Sequence, residues 1–156
     1  MKWVRTMLSV QPKVILVLQH AGWSPDRFVT ISKWSDYFVK KGFFLSPDAR
    51  TILENLGGLK ITPPTSPTNL FNPTEFHFDP YYAASSEVDR IKQWEQDYCV
   101  KLFPIGEVGR QVILLCGDDG KIYGAGLGCV KLIGVHISEA LDTLVLAERQ
   151  WSTLSG

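Results

Sequence analysis

The chain has 156 residues, 45% of them hydrophobic and 21% charged, which predicts one soluble domain large enough to bury its own core. Sixteen basic and sixteen acidic side chains give a formal net charge of zero. That argues against a direct nucleic-acid partner, which would require an excess of Lys and Arg facing phosphates. The longest apolar runs, at 14–18 and 112–116, fall well short of the about 20 residues of a membrane span, so a membrane partner is excluded too.

The neutral total hides an uneven distribution. Residues 1–60 carry nine basic and four acidic side chains, whereas residues 61–109 carry three basic and seven acidic ones. Lys2 and Arg5 ahead of the 14–18 run imitate a secretory signal. The run is too short for one, however, and Gln11, Pro12 and Lys13 interrupt its approach. Cys99, Cys116 and Cys129 are odd in number and lack CxxC spacing, which suits a reduced, cytoplasmic protein with buried thiols.

In chain order, Pro12 suits the first turn of a helix reaching about His20, with Gly22 as its stop. Ile31, Trp34 and Phe38 predict a second helix closed by Gly42. Ser46 and Pro47 predict the N-cap and first residue of a third, whose Ala49, Ile52, Leu53 and Leu56 keep helical spacing up to Gly57-Gly58. Residues 59–61 and 76–78 read as short strands flanking a proline-rich stretch at 62–73. Four prolines there forbid a central strand or a helix interior, leaving an ordered loop. Ser86 and Asp89 form a loose capping box ahead of a helix carrying Val88, Ile91, Trp94 and Tyr98 on one side. Residues 112–115 predict a strand, Asp118-Asp119-Gly120 a tight hairpin, Ile122 and Tyr123 its return and 130–135 a further strand. A helix from about Ser138 closes the chain. The order predicts an α+β fold, with a central, mostly antiparallel sheet flanked by N-terminal helices, a mid-chain helix and a C-terminal helix. A single domain spans 1–156.

Little in the sequence points to catalysis. His20, His77 and His136 are scattered, with no HExxH pair, so no metal and no cofactor is expected. Cys116 and Cys129 lie at strand ends as buried small residues, and no serine sits in GxSxG. Gly124, Gly126 and Gly128 resemble a phosphate loop, but Cys129 stands where the third glycine of GxGxxG belongs. A bulge or tight bend in a strand explains them better. The carboxylates Glu75, Asp79, Glu87, Asp89, Glu95 and Asp97 fall within 23 residues. They read either as a solvated helix face or as a negative surface that steers a basic partner. In the adjacent pairs Phe43-Phe44 and Tyr81-Tyr82 one member of each is expected to point outward, as a protein-binding hot spot would use it.

Several strings together resemble the third family of the SUKH superfamily, immunity proteins of bacterial polymorphic-toxin systems related in fold to the Smi/Knr regulators. Ala21-Gly22-Trp23-Ser24-Pro25-Asp26-Arg27 is similar to its AGW-x-PGR signature, with Asp26 in place of the glycine. Leu56-Gly57-Gly58-Leu59 is similar to its glycine stop, Phe78-Asp79-Pro80 to its F-D-P turn and Phe103-Pro104-Ile105-Gly106 to its PIG segment. Ile122-Tyr123 stands where the family has G-x-Y, and Glu139-Ala140-Leu141 fits its closing EAL helix. Residues 62–73 match none of its motifs.

The resemblance implies a non-enzymatic protein that binds and neutralises a cognate toxin protein. Gly22, Trp23, Gly58, Pro104, Gly106 and Tyr123 are expected to be architectural. An acidic face of Asp79, Glu87, Asp89, Glu95 and Asp97 is expected to meet the toxin, a nuclease with a basic cleft being the natural target. The alternatives are a regulatory protein–protein interaction module of the same fold and a small cysteine- or histidine-dependent hydrolase. The oligomeric state has no signature in the sequence.

Overall fold

The computed structural model describes residues 8–126 and 128–154. Lys2 and Arg5, the basic part of the signal-like start, lie outside the described residues. Three helices come first: α1 (Pro12–His20), α2 (Ser32–Lys40) and α3 (Pro47–Leu56). Each boundary has a local cause. Pro12 and Pro47 occupy first turns, where a missing N–H costs nothing, and the Ser46 hydroxyl accepts from Ala49 N at 3.1 Å. Gly22 and Gly42 follow α1 and α2 with φ of +110° and +92°, the left-handed turn that ends a helix.

Two short strands, β1 (Lys60–Ile61) and β2 (Phe76–His77), pair across the proline-rich loop as the flanking residues predict. Next come α4 (Pro80–Ala84), α5 (Val88–Tyr98), β3 (Leu102–Val108), β4 (Val112–Gly117), β5 (Ile122–Gly126), β6 (Cys129–Gly134), α6 (Ile137–Leu146) and β7 (Ser152–Thr153). The seven strands form one antiparallel sheet in sequence order, β1-β2-β3-β4-β5-β6-β7. The fold is therefore α+β, as the sequence order predicts. Among the described residues, no helix is long and apolar enough to cross a membrane.

The core lies between helices and sheet. Phe38 of α2, Phe43 and Phe103 of β3 stack edge to face, with centroids 5.6–6.4 Å apart, and Phe38 and Phe103 are essentially inaccessible. Such pairs add about 0.5–1.5 kcal/mol each beyond their buried area. At the other end α1 packs on α6, where Ser9 N donates to Ser138 Oγ and Gln11 N to Asp142 Oδ1. The proline-rich loop closes the C-terminal end of α6. Leu70 N and Phe71 N both donate to Ala147 O, and Asn69 Nδ2 donates to Leu146 O at 2.6 Å. Two carbonyls at this helix end, those of Leu146 and Ala147, thereby gain partners.

Several expectations need correction. Ser86 does not cap α5. Its N-cap is Glu87, which makes no side-chain cap bond. α4, β7 and the full length of β3 were not foreseen. Pro104 and Gly106 lie inside β3, where the register shifts between them and leaves Ile105 as the extra residue of a bulge. The bulge is what allows a proline within an interior strand. The bulge or bend expected at Gly124, Gly126 and Gly128 is found at Gly128, in the turn into β6 with φ of +84°, whereas Gly124 and Gly126 lie within β5, where the neighbours come too close for a side chain. A Cβ on Gly124 would sit 2.8 Å from Trp151 Cζ3, and one on Gly126 would sit 2.1 Å from Gln111 O. The shift of register in this hairpin falls between Ile122 and Tyr123.

Candidate functional site

Two exposed aromatic side chains stand next to each other on α4, in an exposure range shared by Phe28 at 58%. Tyr82 is 76% exposed and Tyr81 51%. Both point outward, whereas alternation along a strand would have sent one inward. The two residues are on a helix, whose buried side is Ala83 and Ala84. At Phe43-Phe44 the expectation holds, with Phe43 buried and Phe44 half-exposed.

α4 is short, but it is held at several points. Pro80 starts it, the Asp79 carboxylate accepts from Tyr82 N at 3.1 Å, and its inner side packs on β3. The turn before it is fixed by His77. Its Nδ1 accepts from Asp79 N at 3.1 Å, so the ring proton sits on Nε2 and faces Glu107 Oε1, also at 3.1 Å. This tautomer follows from the hydrogen-bond network. Gly106 lies directly beneath, where a Cβ would meet His77 O at 1.9 Å. Any side chain at 106 would therefore force β2 away from β3. The rings are located as well: Tyr81 meets Tyr37 of α2 edge to face at 4.9 Å, and Tyr82 meets His77 at 5.6 Å.

α5 and its cap carry four of the predicted acidic residues. Glu87 pairs with Arg90 at 2.9 Å. Glu95 pairs with Lys92 at 3.1 Å and accepts from Leu102 N at 2.8 Å. Lys92 also donates to Gly42 O and lies over the Phe43 ring, which ties α5 to the chain after α2. These two glutamates are thus engaged in holding the helix. Asp89 and Asp97 are exposed and make no ion pair among the described residues; Asp97 accepts only from Gln93 Nε2. Residues 89, 93 and 97 form an i, i+4, i+8 row pointing away from the buried Ile91 and Trp94. Of the five predicted carboxylates, Asp79 is on the α4 turn and the other four are on α5 or its cap.

The residues expected to be architectural occupy buried or turn positions. Trp23 is buried, and its Nε1 donates to Asn55 Oδ1 at 3.1 Å. Arg27 donates to Asn55 O at 3.1 Å and to Gly57 O at 2.8 Å, capping the C-terminal end of α3. Asn55, only 2% exposed, returns a bond from Nδ2 to Arg27 O. The signature at 21–27 is therefore a clamp on α3. Asp26 adopts no positive φ, so the missing glycine leaves the turn intact. Gly58 has φ of +85° and donates to Phe78 O, extending the β1–β2 pairing. The Tyr123 hydroxyl donates to Asp119 Oδ2 at 2.9 Å, and burial together with that bond raises its pKa.

The thiols and histidines are separated. Cys116 is buried in β4, and desolvation with nearby carboxylates pushes its pKa up to about 12. That thiol is protonated and unreactive at neutral pH. Cys99 is exposed just past α5 at φ +55°. Among the described residues, no group of three or more His, Cys, Asp or Glu side chains is placed to hold a metal ion.

The fold defines an α+β protein with a sequential antiparallel sheet, with Tyr81 and Tyr82 exposed on α4 and Asp89 and Asp97 exposed on α5. The chain belongs to the SUKH-3 immunity protein family, whose model matches residues 10–147. That membership suggests a role in toxin immunity, in a family that is generally non-enzymatic. No curated protein and no solved structure matches the chain.

Proposed function

We propose that the protein neutralises a cognate toxin in the cytoplasm of the producing cell by binding it, without chemistry of its own, through the face formed by α4 and α5. The observation that carries the reading is the pair Tyr81 and Tyr82, both exposed on a helix fixed by Asp79, Pro80 and the His77–Glu107 pair. Tyrosine is a favoured anchor in interfaces, because it adds large contact area with little rotamer entropy to lose. Asp79, Glu87, Asp89, Glu95 and Asp97 would supply the negative charge of this surface, chiefly through Asp89 and Asp97, which make no ion pair among the described residues. A toxin that cleaves nucleic acid presents a basic cleft, and this face offers it carboxylates in place of phosphates. Charge of this kind acts mainly on the association rate, while the aromatic anchors set the dissociation rate.

The test is binding to the toxin domain encoded beside this gene. Tyr81→Ala with Tyr82→Ala is expected to weaken binding by about a hundredfold or more, since one interface hot spot costs at least about 2 kcal/mol. Asp89→Lys with Asp97→Lys is expected to slow association and reduce its salt dependence. Circular dichroism confirms that both variants are folded. Unchanged affinity in both double variants would refute this face as the contact surface, and absence of any binding by the wild type would refute the immunity reading itself.

A further inference from the structure

A second feature lies away from these residues and does not depend on that reading. Between the end of the proline-rich loop, the C-terminal end of α6 and the segment leading into β7 is a slot of about 320 Å³. Val108 and Leu144 are part of its lining, with Phe71 on the loop side and Trp151 on the tail side. Two cations, Lys131 and Arg149, also line it.

Each wall is fixed by the fold. Phe71 is held by its own N–H on Ala147 O and by the Asn69 side chain on Leu146 O. Trp151 lies close over β5 because residue 124 is glycine. Lys131 of β6 pairs with Gly124 of β5 on one side and Thr153 of β7 on the other. Directly paired residues project to the same face of a sheet, so the Lys131 side chain shares the face that Trp151 covers.

The charges do not balance here. Arg149 bonds to Glu139 Oε2 and Thr143 Oγ1, so its charge is matched and its guanidinium is fixed in place. Lys131 is half-buried on an interior strand and makes no ion pair among the described residues. Such a partly buried, unpaired lysine beside a slot walled by Phe71, Val108, Leu144 and Trp151 is the complement of an anion attached to an apolar body.

We propose that the slot binds a small aromatic carboxylate. Its ring would lie between Trp151 and Phe71 and its carboxylate would pair with Lys131, Arg149 being already engaged by Glu139. The volume is at the small end for ligand sites and admits one or two rings.

The experiment is a titration of the full chain with phenylacetate, followed by proton–nitrogen correlation spectra, with phenylacetamide as the neutral isostere. Phenylacetate is expected to give saturable shifts at the Trp151 indole and at Lys131 and Arg149. The amide is expected to bind at least about tenfold more weakly, as loss of one charge-assisted pair implies. Lys131→Met keeps the apolar stem and is expected to abolish the preference for acid over amide. Three outcomes would each overturn the proposal: equal affinity for acid and amide, a preference that survives in Lys131→Met, or no saturable shift at Trp151 up to about 20 mM ligand.

Discussion

Arg27 provides the sharpest check on whether the 21–27 signature builds the protein or meets its partner. Arg27→Ala removes two charge-assisted bonds, to Asn55 O at 3.1 Å and Gly57 O at 2.8 Å. Such bonds contribute about 1.5–3 kcal/mol each. The side chain is only half-buried, so water recovers part of the loss, and about 3 kcal/mol for the pair is expected. The change also removes a cation from the negative end of α3. In a chain of this length each kcal/mol moves Tm by about 2–4 °C, which predicts a drop of about 6–12 °C. Arg27→Lys keeps the charge, but one ammonium cannot fork to both carbonyls, so about half of the loss should remain. Thermal and urea unfolding, followed by circular dichroism and tryptophan fluorescence, measure both variants. A destabilisation under about 0.5 kcal/mol for Arg27→Ala would refute the clamp. A folded Arg27→Ala protein that loses the binding proposed above, with stability unchanged, would place Arg27 in the interface instead.

Further predictions concern the thiols and one carboxylate. With a disulfide reagent at pH 8, Cys99 should react rapidly and Cys116 only after unfolding, because burial holds Cys116 protonated with a pKa near 12. A fast phase that keeps its full amplitude in Cys99→Ser would refute its assignment to Cys99, leaving the partly buried Cys129 as its source. The Val135 N–H bond and Arg149 lower the pKa of Glu139 below 4.5, so its carboxylate stabilises the fold above that pH and the contribution fades as pH falls. Wild type should therefore exceed Glu139→Gln in stability near neutrality and converge with it well below pH 4.5. A stability gap independent of pH would show that the charge contributes nothing.

Where the signals are local, the sequence can be read directly. Ser46 and Pro47 start α3 because a hydroxyl N-cap and a first-turn proline act within three residues of each other. Asp118-Asp119-Gly120 turns the chain for the same reason, with Gly120 at φ +83°. α4 has only five residues, too few for any helical period to show, so the Tyr81-Tyr82 pair could be flagged as exposed but not oriented. Pro104 argues against a strand unless the bulge at Ile105 is known, and that bulge depends on the register with β4. Asn55 is the most telling omission from the site. It reads as an ordinary polar helix residue, and its function emerges only when Trp23 and Arg27, about thirty residues away, fold back onto it. The five carboxylates were visible as a cluster, but their division into engaged and free members depends on Arg90, Lys92 and the backbone of Leu102.

The sheet's order also determines how a partner can approach it. The outermost strands, β1 and β7, are two residues long each, and β1 runs directly into Thr62 and the prolines at 63 and 64, which have no N–H to donate. The longer strands with continuous ladders are all interior. Among the described residues the two edge strands thus offer an incoming chain only short ladders to extend, which disfavours recognition by strand addition. The same brevity protects copies of this protein from stacking edge to edge when abundant. A partner is then recognised through side chains, which can be exchanged one by one while the sheet beneath them stays the same.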